Sequence, residues 1–341
     1  MYRGYPVGQL ASQCSFEEVA YLLLYGDLPS AGELRRFCAE ERESRGLDPR
    51  VRQVIDLISP SAHPMHVLRT AVSMLGAVDT RSDRTSPREQ LTDAVRLLAK
   101  IPAIIAYDRG RRRGRSEPPE PQDDLGYCEN FLFMTFGSAP PSVVVDAFRV
   151  AMILYAENEL NSSTFTARVI ASTRADLYSS VTGAIAALEG SLHGGANEAV
   201  IRMLESIGDA GQVESWVDDA LAKKLRVPGF GHRVFRNGDP RAAIMRAASV
   251  GLIDYSHGDA LDSTSVALES SMLARARIRP NVDYPVALVF QLIGFDKNTF
   301  TTLFAASRMS GWLAHILEQR ESKTLISPSS RYVGPEIRDI E

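Results

Sequence analysis

Two histidines and one aspartate, each on a loop opened by glycine or proline, are the residues of this chain whose setting suits chemistry. His193 lies in Ser191-Leu192-His193-Gly194-Gly195-Ala196-Asn197-Glu198. The two glycines put no side chain in the way of a ligand and permit backbone angles that other residues resist. An apolar, helix-compatible run from Ala199 to Ile207 follows, so the loop sits at the mouth of a helix. Free N–H groups and the helix dipole there favour a developing oxyanion. His232 lies in a second such setting, Pro228-Gly229-Phe230-Gly231-His232-Arg233-Val234, and Asp283 is the acid of Arg279-Pro280-Asn281-Val282-Asp283-Tyr284. Taken singly, each histidine reads as a loop residue beside glycine punctuation. Taken together, a carboxylate and two imidazoles on permissive loops outline a catalytic constellation for acid–base work.

The elements that must position these loops read as helices. Ser15-Phe16-Glu17-Glu18 is a capping box, and Phe16, Val19, Ala20 and Leu23 then share one helical face. Gly26 ends that helix, Ser30 and Glu33 open the next, Asp48-Pro49 opens a third and His63-Pro64 a fourth. Ser86-Pro87 opens a fifth, expected to run to about Ala106. A long apolar helix from Pro141 leads into Tyr155, a further one carries Val181, Ile185 and Leu188 into the His193 loop, and a last one spans roughly Phe304 to Glu318. Period-two alternation is nearly absent, so the fold class is all-α. The basic run Arg109-Gly110-Arg111-Arg112-Arg113-Gly114-Arg115 is expected to be a solvated loop, its charge offset by the acidic stretch from Glu117 to Asp124. His63, His66, His257 and His315 lack glycine-rich settings, and structural roles are expected for them.

At 341 residues the chain exceeds the size at which one core keeps growing, which predicts two domains or a large one with a smaller insertion. A net charge of −4 implies no bulk attraction to nucleic acid or an anionic membrane. Cys14, Cys38 and Cys128 are odd in number and lack metal-ligand spacing, which points to a reducing compartment rather than a disulfide framework. The N-terminus lacks the apolar core of a signal peptide, and no apolar run approaches the ~18 residues of a membrane span. A cytoplasmic protein with neither membrane nor nucleic-acid partner is expected.

With its blocks assembled, the chain resembles the citrate synthase family, which includes the 2-methylcitrate synthases. The blocks are His63-Pro64-Met65, Ser163-Thr164-Phe165-Thr166-Ala167-Arg168, Leu192 to Glu198, Gly229 to Val234, Asn237-Gly238-Asp239-Pro240-Arg241, Asn281-Val282-Asp283 and Ser307-Arg308. The match runs from Tyr2 to Pro335, essentially the whole chain. It implies a two-domain helical homodimer, with a large domain over 1–193 and 295–341 and a small domain over 194–294 that closes on the substrates. Members normally carry a short segment ahead of the Tyr2 block, and this chain begins at that block. The implied activity condenses acetyl-CoA, or a homologue such as propionyl-CoA, with oxaloacetate or a related 2-oxo acid and hydrolyses the thioester. No permanent cofactor and no metal are implied; acyl-CoA is a co-substrate. By resemblance Asp283 is the base, His193 the donor to the thioester oxygen, and His232 the donor to the ketone. Arg241 and Arg308 are carboxylate clamps, and Arg236 contacts coenzyme A.

Two departures fall in the acceptor site. The family's Ala-Glu-His-Glu-Leu-Asn reads Ala156-Glu157-Asn158-Glu159-Leu160-Asn161, so Asn158 takes the place of an oxaloacetate-contacting histidine. The family's Ile-Arg-Pro reads Ile326-Ser327-Pro328, so an arginine that reaches across the dimer is lost, and Arg331 replaces it only if the tail turns locally. These losses predict weaker binding of oxaloacetate. They also keep a second reading in view: a divergent paralogue that binds a small carboxylate or acyl-CoA with altered acceptor specificity or little catalysis. A two-histidine, one-carboxylate metal site is a third reading, and the resemblance accounts for the same three residues without a metal.

Overall fold

The structure is a computed structural model that describes residues 1–80, 86–115, 119–190, 193–232, 235 and 237–338. These residues form α-helices joined by short loops and contain no strand beyond two isolated bridges. The first ten are α1 (Val7–Gln13), α2 (Phe16–Tyr25), α3 (Ala31–Glu43), α4 (Pro49–Leu57), α5 (Pro64–Val78), α6 (Pro87–Arg112), α7 (Tyr127–Phe136), α8 (Ser142–Tyr155), α9 (Ser162–Ser172) and α10 (Leu177–Glu189). Then come α11 (Ala196–Ile207), α12 (Val213–Ala222), α13 (Pro240–Ser256), α14 (Asp259–Ala276), α15 (Asp283–Ile293) and α16 (Phe300–Ser322).

The helix starts follow local chemistry. Ser15 and Glu18 cap α2 reciprocally, as do Ser30 and Glu33 for α3. At α5 the His63 ring accepts the Met65 N–H through Nδ1, a capping role for an imidazole. His66 pairs with Glu189, His315 with Glu157, and His257 ends α13 in the left-handed region, so all four histidines outside the glycine loops have structural roles.

Helix α16 is the axis of the molecule. It packs against α2, α5, α6, α8, α9, α10 and α11, and is buried almost all round. A helix surrounded on every side needs no polar stripe. Its Ala305, Ala306, Ser307, Ser310 and Gly311 let neighbours approach closely. At Gly311 the approach is closest: its N–H donates to Ala156 O at 3.1 Å, and a Cβ there would lie 2.4 Å from that oxygen. Helices α11 to α15 pack on one another through α11–α15, α12–α14 and α13–α15, and meet the rest of the chain at α1, α8, α16 and the 297–299 turn. The functional loops lie along this seam.

Two expectations need correction. Helix α6 runs past Ala106 to Arg112, across Pro102. An interior proline costs about 3 kcal/mol, which burial of Ile101, Ala103, Ile104, Ile105 and Ala106 offsets. The first part of the basic run, Arg109 to Arg112, is therefore the last helical turn, and only Arg113-Gly114-Arg115 is an exposed turn beyond it. Arg109 is 3% exposed, donates to Asp296 at 3.0 Å and to Thr135 O at 2.8 Å, and lies over the Phe136 ring. Arg111 and Arg112 pair with Asp108, and Arg113 with Asp296, so these two aspartates offset the charge.

Candidate active site

A cleft of about 770 Å³ opens along the seam between α8, α16, the His193 loop, the 228–232 loop and the start of α15. His193, His232, Asp283, Arg241, Arg308 and Asn158 all line it. Arg236 lies outside the described residues. Ser327 and Arg331 are exposed on a tail without regular structure and do not line the cleft of their own chain.

His193 is held from both sides. Its own N–H donates to Gly190 O at 2.8 Å and the Gly194 N–H donates to Leu188 O at 2.8 Å, folding the loop back on the end of α10. A Cβ at Gly194 would sit 2.4 Å from that Leu188 oxygen, so only glycine fits. On the ring side, Nε2 accepts the Ser163 N–H at 3.2 Å and lies 2.9 Å from Ser163 Oγ. The single hydrogen of that hydroxyl is shared between Nε2 and Asn161 Oδ1, 2.7 Å away, and the oxygen accepts from Trp312 Nε1 at 3.1 Å. A backbone N–H pointed at Nε2 requires a lone pair there, so the ring hydrogen resides on Nδ1. Burial, with the Arg308 guanidinium adding to it, lowers the His193 pKa to about 4. The imidazole is neutral at physiological pH.

His232 and Asp283 are tied into one unit. The Gly231 N–H donates to Arg279 O at 2.9 Å, the Asn281 N–H to Gly229 O at 2.8 Å, and Asn281 Nδ2 to Gly231 O at 2.9 Å. The Phe235 N–H donates to His232 Nδ1 at 3.2 Å, which leaves the ring hydrogen on Nε2. Burial lowers the pKa of this histidine too. Asp283 is the first residue of α15, and its N–H is taken by Asn281 Oδ1 at 3.0 Å. The helix N-terminus favours a carboxylate at that position. Burial raises the Asp283 pKa nonetheless, outweighing a hydrogen bond from the Tyr155 hydroxyl and the charges of Arg241 and Arg308.

The two arginines are held differently. Arg241 is gripped by Asp239, with Nε to Oδ1 at 3.0 Å and Nη2 to Oδ2 at 2.8 Å. Asp239 Oδ2 also accepts the Val282 N–H at 3.1 Å, so one carboxylate fixes both the clamp and the residue before Asp283. Arg308 is 1% exposed; its Nε donates to Tyr155 O at 2.7 Å, and its guanidinium lies 4.9 Å from the Phe304 ring centroid. Its Nη1 is buried without a hydrogen-bond partner among the described residues. A buried cationic donor left unpaired is costly, and a ligand carboxylate would relieve that cost. Asn158 stands at the cleft edge, its carbonyl accepting from Asn161 Nδ2 at 3.1 Å. Ser163 and Asp239 fall within blocks that stood out in the sequence, but their bonds to His193 and Arg241 are set by tertiary contact. Tyr155 carried no signal of its own, being the end of an apolar helix.

The cleft thus combines a carboxylate, two neutral imidazoles with assigned hydrogens, and a guanidinium whose Nη1 has no partner among the described residues. This set suits removing a proton beside a carbonyl and adding the resulting carbon to a second carbonyl near an anion. The family described as citrate synthase, C-terminal domain, matches residues 1–329. A citrate synthase of Mycolicibacterium smegmatis is 46% identical over 339 residues, spanning 99% of this chain and 90% of that one. A 2-methylcitrate synthase of Mycobacterium tuberculosis is 45% identical over 337 residues, spanning 99% and 85%. The citrate synthase of the archaeon Thermoplasma acidophilum, solved as a ternary complex with carboxymethyl coenzyme A and oxaloacetate, superposes with a TM-score of 0.91 at 33% identity, covering 99% of this chain and 91% of that one. The chain belongs to the citrate synthase family. It is an acyltransferase of the citrate synthase or 2-methylcitrate synthase type.

Proposed function

We propose that this acyltransferase condenses acetyl-CoA, or a short homologue such as propionyl-CoA, with oxaloacetate or a related 2-oxo acid. Asp283 takes a proton from the carbon next to the thioester. The electron pair moves onto the thioester oxygen, where the His193 Nδ1–H donates to it. The enol carbon then attacks the ketone, and the His232 Nε2–H delivers a proton to the oxygen as the new bond forms. Arg308 and Arg241 hold the acceptor's carboxylates. Water hydrolyses the condensed thioester, releasing the tricarboxylate and coenzyme A. No resident cofactor enters these steps.

One observation carries this reading. Backbone N–H groups set the tautomers of both histidines, Nδ1–H on His193 and Nε2–H on His232, in the same cleft as the Asp283 carboxylate. With base and donors together, the reading of the chain as a binding protein without turnover is not favoured. The Thermoplasma acidophilum relative, solved with a coenzyme A derivative and oxaloacetate, supports the substrate classes.

We take 194–294 as a small domain that closes over 1–193 and 295–341, because the cleft lies on the seam between them; scattering profiles unchanged by saturating acceptor would count against closure. A homodimer follows from the family reading, and a single-chain mass by light scattering at micromolar concentration would refute it. Free Cys14, Cys38 and Cys128 fit a reducing, cytoplasmic setting. The test of function is thiol release from acetyl-CoA and propionyl-CoA against a panel of 2-oxo acids. One methylene is worth only ~1–3 kcal/mol in a pocket, so the panel separates the two donors. Absence of thiol release from every pair would overturn the reading.

A further inference from the structure

Tyr155 closes α8 at the floor of the cleft and is 1% exposed. Its hydroxyl donates to Asp283 Oδ1 at 2.5 Å. Its ring stacks on Phe304, with centroids 4.2 Å apart and planes at 17°, which fixes where the hydroxyl points. Its carbonyl accepts from Arg308 Nε at 2.7 Å. One residue therefore touches the carboxylate through its side chain and the guanidinium through its main chain. No ion pair to Asp283 occurs among the described residues.

We propose that Tyr155 is the positioning residue for the Asp283 base, its hydroxyl engaging Oδ1 so that Oδ2 faces the carbon acid. The proposal rests on Asp283 being the base. A carboxylate is free to turn about its last torsion and offers two equivalent oxygens. Engaging one of them fixes the plane and selects the other, and a small misplacement of a reacting group is kinetically costly. The proton balance is simple. Oδ2 gains the proton leaving carbon, and Tyr155 keeps its own throughout, since burial and the neighbouring carboxylate hold its pKa well above the ordinary range. Tyrosine also suits the task because it is neutral. A cation on Oδ1 would depress the pKa of the base and weaken it, whereas a phenol steadies the carboxylate with a smaller effect.

The other charged or titratable groups near Asp283 are Arg241 and Asp239 at the start of α13, Arg308 on α16, and His232 in its loop. A Tyr155→Phe change leaves all four in place. It also keeps the ring stack on Phe304 and the carbonyl that holds Arg308.

The test compares the parent, Tyr155→Phe and Asp283→Asn in thiol-release assays across pH, with protiated and deuterated acetyl-CoA. For Tyr155→Phe, kcat is expected to fall about 10- to 100-fold, with the KM for the 2-oxo acid within threefold. The acid limb of the kcat profile should move up by about one to two pH units, the shift expected from losing one hydrogen bond to a charged carboxylate. The isotope effect on kcat should rise, because proton removal becomes the slow step; a merely structural loss would not change it. Asp283→Asn should lose turnover by ~10²–10⁴-fold while still binding acyl-CoA. If Asp283→Asn is inactive and Tyr155→Phe matches the parent in kcat, pH profile and isotope effect, the positioning role is refuted. If Asp283→Asn stays within tenfold of the parent, the base assignment itself fails. An unchanged thermal midpoint for Tyr155→Phe establishes that its kinetic change is not unfolding.

Discussion

Arg308 offers a direct reading of acceptor binding, because its Nη1 has no partner among the described residues and its Nε is committed to the Tyr155 carbonyl. Replacement by methionine removes the fork and leaves an apolar stem of similar length. A hydrogen bond to a charged group contributes about 1.5–3 kcal/mol, so the KM for oxaloacetate should rise about 10- to 150-fold. The effect on the fold is smaller. Removing an unpaired buried cation is favourable, while leaving the Tyr155 carbonyl without its donor costs about 1–3 kcal/mol. These oppose each other, and the unfolding free energy should change by less than about 2 kcal/mol. Arg308→Lys keeps the charge but a single ammonium replaces a fork that now spans the carbonyl and the ligand. Its KM should rise by roughly tenfold. The Arg308 charge also lowers the Asp283 pKa, so the methionine variant should raise the acid limb of the kcat profile and the lysine variant should not. Steady-state kinetics with saturating acyl-CoA measures all of this. A folded Arg308→Met protein with an acceptor KM within threefold of the parent would show that the free Nη1 does not meet the ligand.

Two further predictions concern single residues. The lowered pKa of His193 sets a sign for stability: the unfolded chain protonates near the ordinary histidine value and the folded chain only near 4, so stability is complete above about pH 6.5 and is lost as pH falls towards 4, by up to roughly 3 kcal/mol. Denaturant midpoints across that window should decline more steeply for the parent than for His193→Gln; parallel lines would mean that the ring protonates freely in the folded state. Asn158→His restores a ring donor at the cleft edge, and the oxaloacetate KM is expected to fall about tenfold with kcat little changed. A KM that does not fall would place the side chain away from the acceptor.

The helix starts were legible because a cap is a local event. Ser15 with Glu18, Ser30 with Glu33, and Asp48 with Pro49 act within three residues of themselves, so the pattern and the structure agree. The extent of α6 was not legible. The run of arginines and glycines after Ala106 argues locally for a stop, and what carries the helix on to Arg112 is the burial of Asp108 and Arg109 and the hold of Asp296 on Arg109, a residue 187 positions away. The site divides in the same way. His193, His232 and Asp283 stand out because glycine and proline mark their loops. The hydrogens of the two imidazoles depend on N–H groups of Ser163 and Phe235, and the grip on Asp283 comes from a tyrosine that reads as the apolar end of a helix. Such roles arise from contacts across the fold, and no spacing in the chain announces them.

The contrast between Asp239 and Asp283 shows how a cleft containing two arginines keeps a working base. Asp239 holds Arg241 through both Nε and Nη2 and is itself held by the N–H groups of Arg241 and Val282. With Nε and Nη2 committed to Asp239 and Nη1 left for the acceptor, Arg241 acts on Asp283 only at a distance, as a field that lowers its pKa less than burial raises it. Asp239→Asn tests this arrangement. Asparagine keeps the shape and remains a good cap for α13, but it has no second carboxylate oxygen for the guanidinium. Arg241 is then expected to turn part of its fork to Asp283, the other carboxylate whose charge acts on it. A direct cation depresses a carboxylate pKa by about 1–3 units, so the acid limb of kcat should move down and kcat should fall by roughly tenfold as the base weakens. That shift is opposite in sign to the one expected from Tyr155→Phe. An acid limb that stays in place or moves up in Asp239→Asn would show that Asp239 does not keep Arg241 from Asp283.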